Sequence, residues 1–445
     1  MTVTHRSLSI ATESSFGSLQ ASGIPGPTGL TWLSLPCERD PVVLYGDVVA
    51  NERLETRDGS HALPMEPDTM WDGNGVRIHR RTGTVEVKID FTTLGTGGDD
   101  DYDLTGIGQL MNAGFKAWKP LLNGGQSVTL SANNKFDSAT VSPELVGGAL
   151  IGYRNAGGVA EYTSITASDV GANNTCSFSP KLTINSGATA TIYPMQTWFP
   201  GVGLESGEVE TSVAFRVDGQ GFRTYAFGCK LQSLNIAVEG GRVMGTFTFL
   251  SAFITDDHDG SYYGEAFTGP VEPQPLNGAS QHFRGAHVVL SSTPVQYSRS
   301  DISGLYGETL DRKEFKTETF SLNITNTLSP LAHSSSILTM SDMEVTNIEI
   351  ECTITLTDPD TSIANDFRDR VVRQLMIGTG PVKDGCGMAI YLPSAFLNVD
   401  PRKYEVNGEI TKQTLTYKAS RCGSDIKGGL DDIPANSFLR IGLGL

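Results

Sequence analysis

SLNIAVEGGRVMGTFTF, running from Ser233 to Phe249, alternates as a β-hairpin should. Leu234, Ile236 and Val238 fall on one face, Glu239-Gly240-Gly241 supplies a turn, and Val243, Phe247 and Phe249 return on the same face. The other face carries Asn235, Ala237, Glu239, Thr246 and Thr248. None of these grips a ligand or performs chemistry. The hairpin is long, with a wet face that is small, smooth and faintly acidic.

Alternation recurs along the chain. Val85, Val87, Ile89 and Phe91 alternate with Glu86, Lys88, Asp90 and Thr92, and Phe320, Leu322 and Ile324 alternate within FKTETFSLNIT. Between residues 121 and 200 short runs such as SVTLSA, AEYTSITA and ATATIYP are separated by turn residues, the pattern of a small barrel or sandwich inserted as its own module. Its removal is expected to leave the flanking pattern intact. The N-terminal 80 residues read as an extended arm with a strand or two.

With 445 residues the chain has room for two or three domains. A hydrophobic share of 38% against 19% charged residues describes a folded protein, and 50 Gly with 21 Pro points to many turns and short strands. No run of about 18 apolar residues predicts a membrane span, and MTVTHRSLSIATESSFGS lacks the build of a signal peptide. Cys37, Cys176, Cys229, Cys352, Cys386 and Cys422 form no CxxC and read as reduced, mostly buried thiols. A net charge of −17 argues against gripping nucleic acid, which takes clustered Lys and Arg, but is compatible with repelling it.

A repeat lies within the alternation. TVEVKIDFT (84–92) superposes on NIEIECTIT (347–355), setting Val85 on Ile348, Val87 on Ile350 and Ile89 on Cys352. An acidic turn follows each strand, GGDDDYD in one and DPDTS in the other, and then a helix. Asp103 is expected to cap the first helix, whose apolar side holds Leu104, Ile107, Leu110 and Met111. The second, IANDFRDRVVRQLM, carries Ile363, Phe367, Val371 and Leu375 at helical spacing. FLNV (396–399) then resembles SLNI (233–236), so the chain reads as one strand–helix–strand unit written twice, with one copy expanded.

Catalytic constellations are not found. Seven histidines are scattered without HExxH, no GxSxG or Walker loop occurs, and neither DDDYD nor DDHDG has EF-hand spacing, so both read as solvated acidic turns. The reading is of a non-enzyme with no cofactor and no metal.

YAFGCKLQSLNIAVEGGRVMGTFTFLSAF, preceded by VETSVAFRV, resembles the central signature of the tail tube proteins of long-tailed, non-contractile bacteriophages. FKTETFSLNITNTLSP resembles their second signature, and ESSFGS, the strand–helix piece after Thr84 and the module at 121–200 also have counterparts. The resemblance implies a mainly β protein made of duplicated tail-tube β-sandwich or barrel units with one short helix each, plus the small β-barrel module. The first unit then covers 1–120 and 201–255 with its N-terminal arm, the outward-facing module 121–200, a linker 256–312, and the second unit 313–445.

Such proteins form stacked rings whose joined hairpins make one barrel around a bore for DNA. The lumen-facing residues expected here are Glu86, Asp90, Asn235, Glu239, Thr246, Thr248, Glu349, Glu351, Thr353 and Thr355, with Lys88 paired to Glu86 or Asp90. A chain holding two units implies a homotrimeric, pseudo-hexameric ring, or a homohexamer if the two halves form the two sheets of one unit. The partners implied are other copies of the chain, tail terminator, tape-measure and distal tail proteins, and double-stranded DNA in non-binding passage, with the phage virion as location. The competing class is a β-rich phage or cell-surface adhesin that stacks carbohydrate on loop aromatics such as Trp118, Tyr262 and Tyr263.

Overall fold

Period-two alternation is realised as long antiparallel strands, and the computed structural model is mainly β, with two short α-helices among the described residues. The structure describes residues 7–18, 25–36, 42–45, 50–51, 77–78, 82–93, 102–120, 124–132, 134–138, 140–141, 145, 147–154, 160–169, 175–183, 187–200, 212–219, 223–257, 263, 281–283, 286–292, 313–332, 340–380, 387–402, 404–407, 410–420 and 437–444.

The first half contributes β1 (Ser7–Thr12), β2 (Leu33–Leu35), β3 (Val42–Tyr45), β4 (Gly83–Asp90), α1 (Gly106–Asn112), β5 (Val213–Asp218), β6 (Arg223–Glu239), β7 (Arg242–Ser251) and β8 (Phe253–Asp257). The second contributes β9 (His287–Ser292), β10 (Lys313–Phe315), β11 (Thr317–Ala332), β12 (Met340–Leu356), α2 (Ile363–Arg368), β13 (Arg373–Thr379), β14 (Met388–Leu397), β15 (Ile410–Ala419) and β16 (Arg440–Gly444).

The pairings repeat strand for strand. In the first half β2–β1–β5–β6–β8 form an outer sheet and β6–β7–β4–β3 an inner one, with β6 passing from one to the other. In the second half β10–β9–β13–β14–β16 and β14–β15–β12–β11 do the same, with β14 as the shared strand. Even the irregularity where the shared strand crosses is kept. Val213 opposes Cys229 before Phe215 opposes Ala226, and Arg373 opposes Ala395 before Leu375 opposes Leu392.

Anchored at that bulge, Leu231 and Leu397 occupy one place, each two residues on from it, opposite Phe249 and Tyr417. Phe249 and Tyr417 in turn oppose Val85 and Cys352. The sequence superposition of Val85 on Ile348, and of FLNV on SLNI, is therefore displaced along the strands. The first is displaced by four residues, which keeps every side chain on its face, and the second by three, where the bulge between Leu231 and Ser233 restores the face, so alternation alone detects neither.

One core lies between the inner and outer sheets of both halves. Val85, Val87, Ile89, Leu234, Ile236, Phe247, Phe249, Leu322, Ile354 and Leu415 meet Leu8, Ile10, Phe215, Val288, Leu375 and Ile390 there. The outer sheets are covered on their other faces as well. Over the first, Met340 and Met343 from the far part of the β11–β12 hairpin pack with Tyr225, Phe227 and Phe253. Ser7–Thr12 thus lies in a sheet core rather than in an arm, because SLSIAT alternates Leu8 and Ile10 with residues small enough for a doubly covered strand.

Six strands between residues 126 and 200 close into a barrel. Around it run Leu150–Arg154, Ala160–Asp169, Thr175–Ser179, Lys135–Asp137, Gln126–Ala132 and Thr189–Pro200, which pairs again with Leu150–Arg154. Its own core includes Val128, Leu130, Phe136, Ile151, Ile165, Phe178 and Ile192. The barrel is docked rather than detached. Its last strand continues into the main body, where Met195–Trp198 pair with Ile441–Gly444 and Thr197–Pro200 with Phe115–Trp118.

Two helical expectations are corrected. Thr105, not Asp103, caps α1: its Oγ1 accepts from the Gly108 N–H at 3.0 Å, while Asp103 accepts from Asn112 Nδ2 at 2.8 Å and Leu104 is 62% exposed. The second helix stops at Arg368, Arg370 adopts φ 50°, and Leu375 belongs to β13. The β-branched pair Val371-Val372 and the run RQLMIGT favour a strand buried between two layers over the continuation of a helix.

Candidate pore-lining face

The two halves meet by strand pairing. β6 pairs with β11 from Ser233↔Thr325 to Ala237↔Ser321, so β4, β7, β6, β11, β12 and β15 form one continuous antiparallel sheet. Because side chains alternate, the face turned away from the core carries a run of polar residues from each of these strands in register.

Rows of that face can be read straight across. One runs Lys88, Thr246, Asn235, Asn323, Glu351, Lys418; the next runs Glu86, Thr248, Ser233, Thr325, Glu349. A third runs Asp90, Met244, Ala237, Ser321, Thr353, Thr416, and Thr355 opposes Thr319 and Thr414. Glu239 stands at the hairpin turn opposite Arg242. All ten residues singled out in the sequence therefore share one face of one sheet. The sequence reading omitted Ser233, Ser321, Asn323, Thr325, Thr414, Thr416 and Lys418, although the alternation in FSLNIT and TLTYK marks them in the same way.

The cations of this face are held by carboxylates. Lys88 Nζ pairs with Glu239 Oε2 two strands away, which corrects the expected pairing with Glu86 or Asp90. Glu86 and Asp90 lie on Lys88's own strand, two residues to either side, while Glu239 lies at the end of the neighbouring hairpin within reach of a lysine stem. Arg242 Nη1 meets Asp90 Oδ2 at 3.0 Å, and Lys418 Nζ lies 3.7 Å from Glu349 Oε1. Among the described residues Glu86 and Glu351 meet no cation, so the face carries net negative charge.

The middle of the face is a ladder of amides and hydroxyls. Asn235 Nδ2 donates to Asn323 Oδ1 and, at 3.3 Å, to Ser321 Oγ, and Thr353 and Thr416 hydroxyls lie 3.2 Å apart. Asn398 Nδ2 donates to Glu351 Oε1 at 3.1 Å. Groups bonded laterally to one another present few free donors outward.

Other candidate residues do not assemble into a site. No group of three or more His, Cys, Asp or Glu is placed to hold a metal among the described residues. Asp99, Asp100, Asp101, His258 and Asp259 lie outside the described residues, as do Tyr262, Cys37, Cys386 and Cys422. Trp118 packs on the barrel core, and Tyr263 sits edge-on to Tyr225 at 5.1 Å while donating to the Pro25 carbonyl at 2.9 Å, so both rings are engaged within the chain. Cys176, Cys229 and Cys352 are buried free thiols, and burial pushes Cys352 up to about 12. Among the described residues no helix is long and apolar enough to cross a membrane. No protein-family model and no curated protein sequence matches the chain.

Proposed function

We propose that this chain is the subunit of a phage tail tube: copies join side by side into rings, rings stack, and the polar face of the continuous inner sheet lines a bore through which double-stranded DNA passes. The observation that carries the reading is the face itself. It spans both halves without a break, is rich in hydroxyls, amides and carboxylates, and pairs Lys88, Arg242 and Lys418 with carboxylates of its own. Phosphates are held by uncompensated Lys and Arg, so such a surface lets a polyanion slide.

The duplicated architecture supports a homotrimer with pseudo-six-fold symmetry. Each half holds both an inner and an outer sheet of its own, which disfavours the homohexamer in which the halves are the two sheets of one unit. The barrel covers the outer sheet of the second half, on the side away from the polar face, where its bulk leaves a bore open. The role is structural, without catalysis or cofactor, and is exercised in the virion with tail terminator, tape-measure and distal tail proteins as neighbours. Electron microscopy of the purified protein tests this: rings or hollow tubes are expected, whereas compact monomers that bind glycans would support an adhesin.

A further inference from the structure

On its outward face the outer sheet of the first half carries a polar row that the second half lacks. Leu33 and Leu35 oppose Ile10 and Leu8 and turn into the core, so Trp32 and Ser34, which alternate with them, face outward. In register across the sheet lie Ser34, Ser9, Arg216, Tyr225 and Thr255. Aligned on the crossover bulge, the second half has Glu314, Val289, Met376, Tyr391 and Arg440 in these places. There Val289 and Met376 pack against Leu150, Tyr162 and Met195 of the barrel. The same sheet is thus built with apolar residues at the positions of Ser9 and Arg216, and the polarity of the first row is not a requirement of the fold.

The groups around Arg216 are rich in donors and poor in acceptors. Arg216 Nε donates to Asp218 Oδ2 at 2.9 Å, and the other oxygen of the same carboxylate accepts from Arg223 Nε. Among the described residues no second carboxylate meets Arg216, and its two Nη groups have no hydrogen-bond partner. The guanidinium lies over the Trp32 ring, 5.1 Å from its centre. On the same face the Trp32 Nε1–H and the Ser34 hydroxyl are buried atoms without a partner. A buried donor that faces no acceptor has given up its hydration for nothing. The side chains themselves are part-buried, that of Arg216 keeping 13% of its surface exposed, so the cluster borders solvent.

We infer that Arg216, Trp32 and Ser34 form a binding site for a small oxyanion, a phosphate or a carboxylate. The open Nη fork of Arg216 matches two oxygens of such a group, and the indole N–H and the hydroxyl supply further donors. Asp218 holds the guanidinium by its Nε and Trp32 holds its flat side, which fixes the direction of the fork. The site is separate from the polar face of the inner sheet and independent of the tube reading.

The Trp32 indole N–H reports binding directly. In nitrogen–proton correlation spectra of the full chain its signal is identified by its loss in Trp32→Phe. Inorganic phosphate and acetate, each titrated at an ionic strength held constant with chloride, are expected to shift that signal saturably. Saturation at lower phosphate than acetate would mark a phosphoryl ligand, and the reverse order a carboxylate. Arg216→Met, which copies Met376 of the second half, should abolish the shift. Ser34→Ala should weaken binding about tenfold, the scale of one hydrogen bond to a charged group, and it removes only a part-exposed hydroxyl, so it decides the matter even if Arg216→Met does not fold. A signal unmoved by both anions, or moved equally by chloride, overturns the site, as does wild-type affinity in folded Ser34→Ala and Arg216→Met.

Discussion

Lys88, in the middle of β4, closes onto Glu239, the last residue of β6, across the intervening strand β7. The pair is part-exposed and adds little to stability, on the order of 1 kcal/mol or less. Its effect on the surface is larger, since it masks the lysine next to the neutral stretch Thr246, Asn235 and Asn323. Glu239→Gln should leave melting nearly unchanged and make assembled protein retain duplex DNA at low salt. Thr246→Arg with Thr248→Arg should retain it more strongly, with release on added salt, and particles carrying it should eject DNA slowly or incompletely. Retention indistinguishable from wild type in a filter or sedimentation assay would count against a DNA-facing role for these residues.

Tyr162 of the barrel lies over Gly378 of β13, donating its hydroxyl to the Thr379 carbonyl at 2.6 Å. A Cβ at position 378 would overlap the tyrosine ring. Gly378→Ala should therefore destabilise by about 1–3 kcal/mol, the usual scale of overpacking. Tyr162→Ala should destabilise as well, yet the double variant should be more stable than the sum of the two predicts, because the second change removes the clash made by the first. Strict additivity in denaturant melts would contradict the docking geometry.

Val289, Met376, Ala389 and Tyr391 are buried beneath the barrel, and the buried Arg440 donates to Ser164 Oγ at 2.6 Å. Replacing residues 121–193 by a short Gly-Ser linker should expose that apolar patch and leave the guanidinium without this partner. Insoluble protein or loss of a cooperative melt is expected, the reverse of what the sequence reading expects for a removable module. A soluble, cooperatively melting deletion would show that the contact is dispensable.

Glu13 is buried and accepts from the N–H groups of Gly17 and Gly228, each at 3.1 Å, and from the Ser212 hydroxyl. Desolvation outweighs these donors and raises its pKa above the ordinary glutamate value. The folded state thus binds a proton that the unfolded chain has released. Stability is greatest below the ordinary value, falls as pH rises through the raised one, and is level beyond it. Glu13→Gln should flatten that part of the stability–pH profile, and an unchanged slope would contradict the assignment.

Much of this fold is legible because alternation writes burial directly into the sequence. Val85–Val87–Ile89 and Leu234–Ile236 identify both strands and the faces they bury. What alternation does not encode is position along the strand, which is why the two halves superpose in sequence at a register displaced from that of the crossover bulge. Nor does it encode partners. Lys88 finds Glu239 through a hairpin turn, and the barrel finds β13 through Tyr162, and both depend on contacts between segments distant in sequence. The second helix misled for a related reason. Ile363, Phe367, Val371 and Leu375 fit a helical stripe, yet the last lies in a buried strand, where an unbroken apolar run carries no period of its own.

The most direct measurement is a cryo-electron microscopy reconstruction of the assembled protein with no symmetry imposed. Three copies per ring are predicted, with Thr246, Asn235, Asn323 and Glu351 bordering an axial channel wide enough for a duplex. A solitary chain, or an assembly that turns this face outward or buries it against a neighbour, would contradict the account.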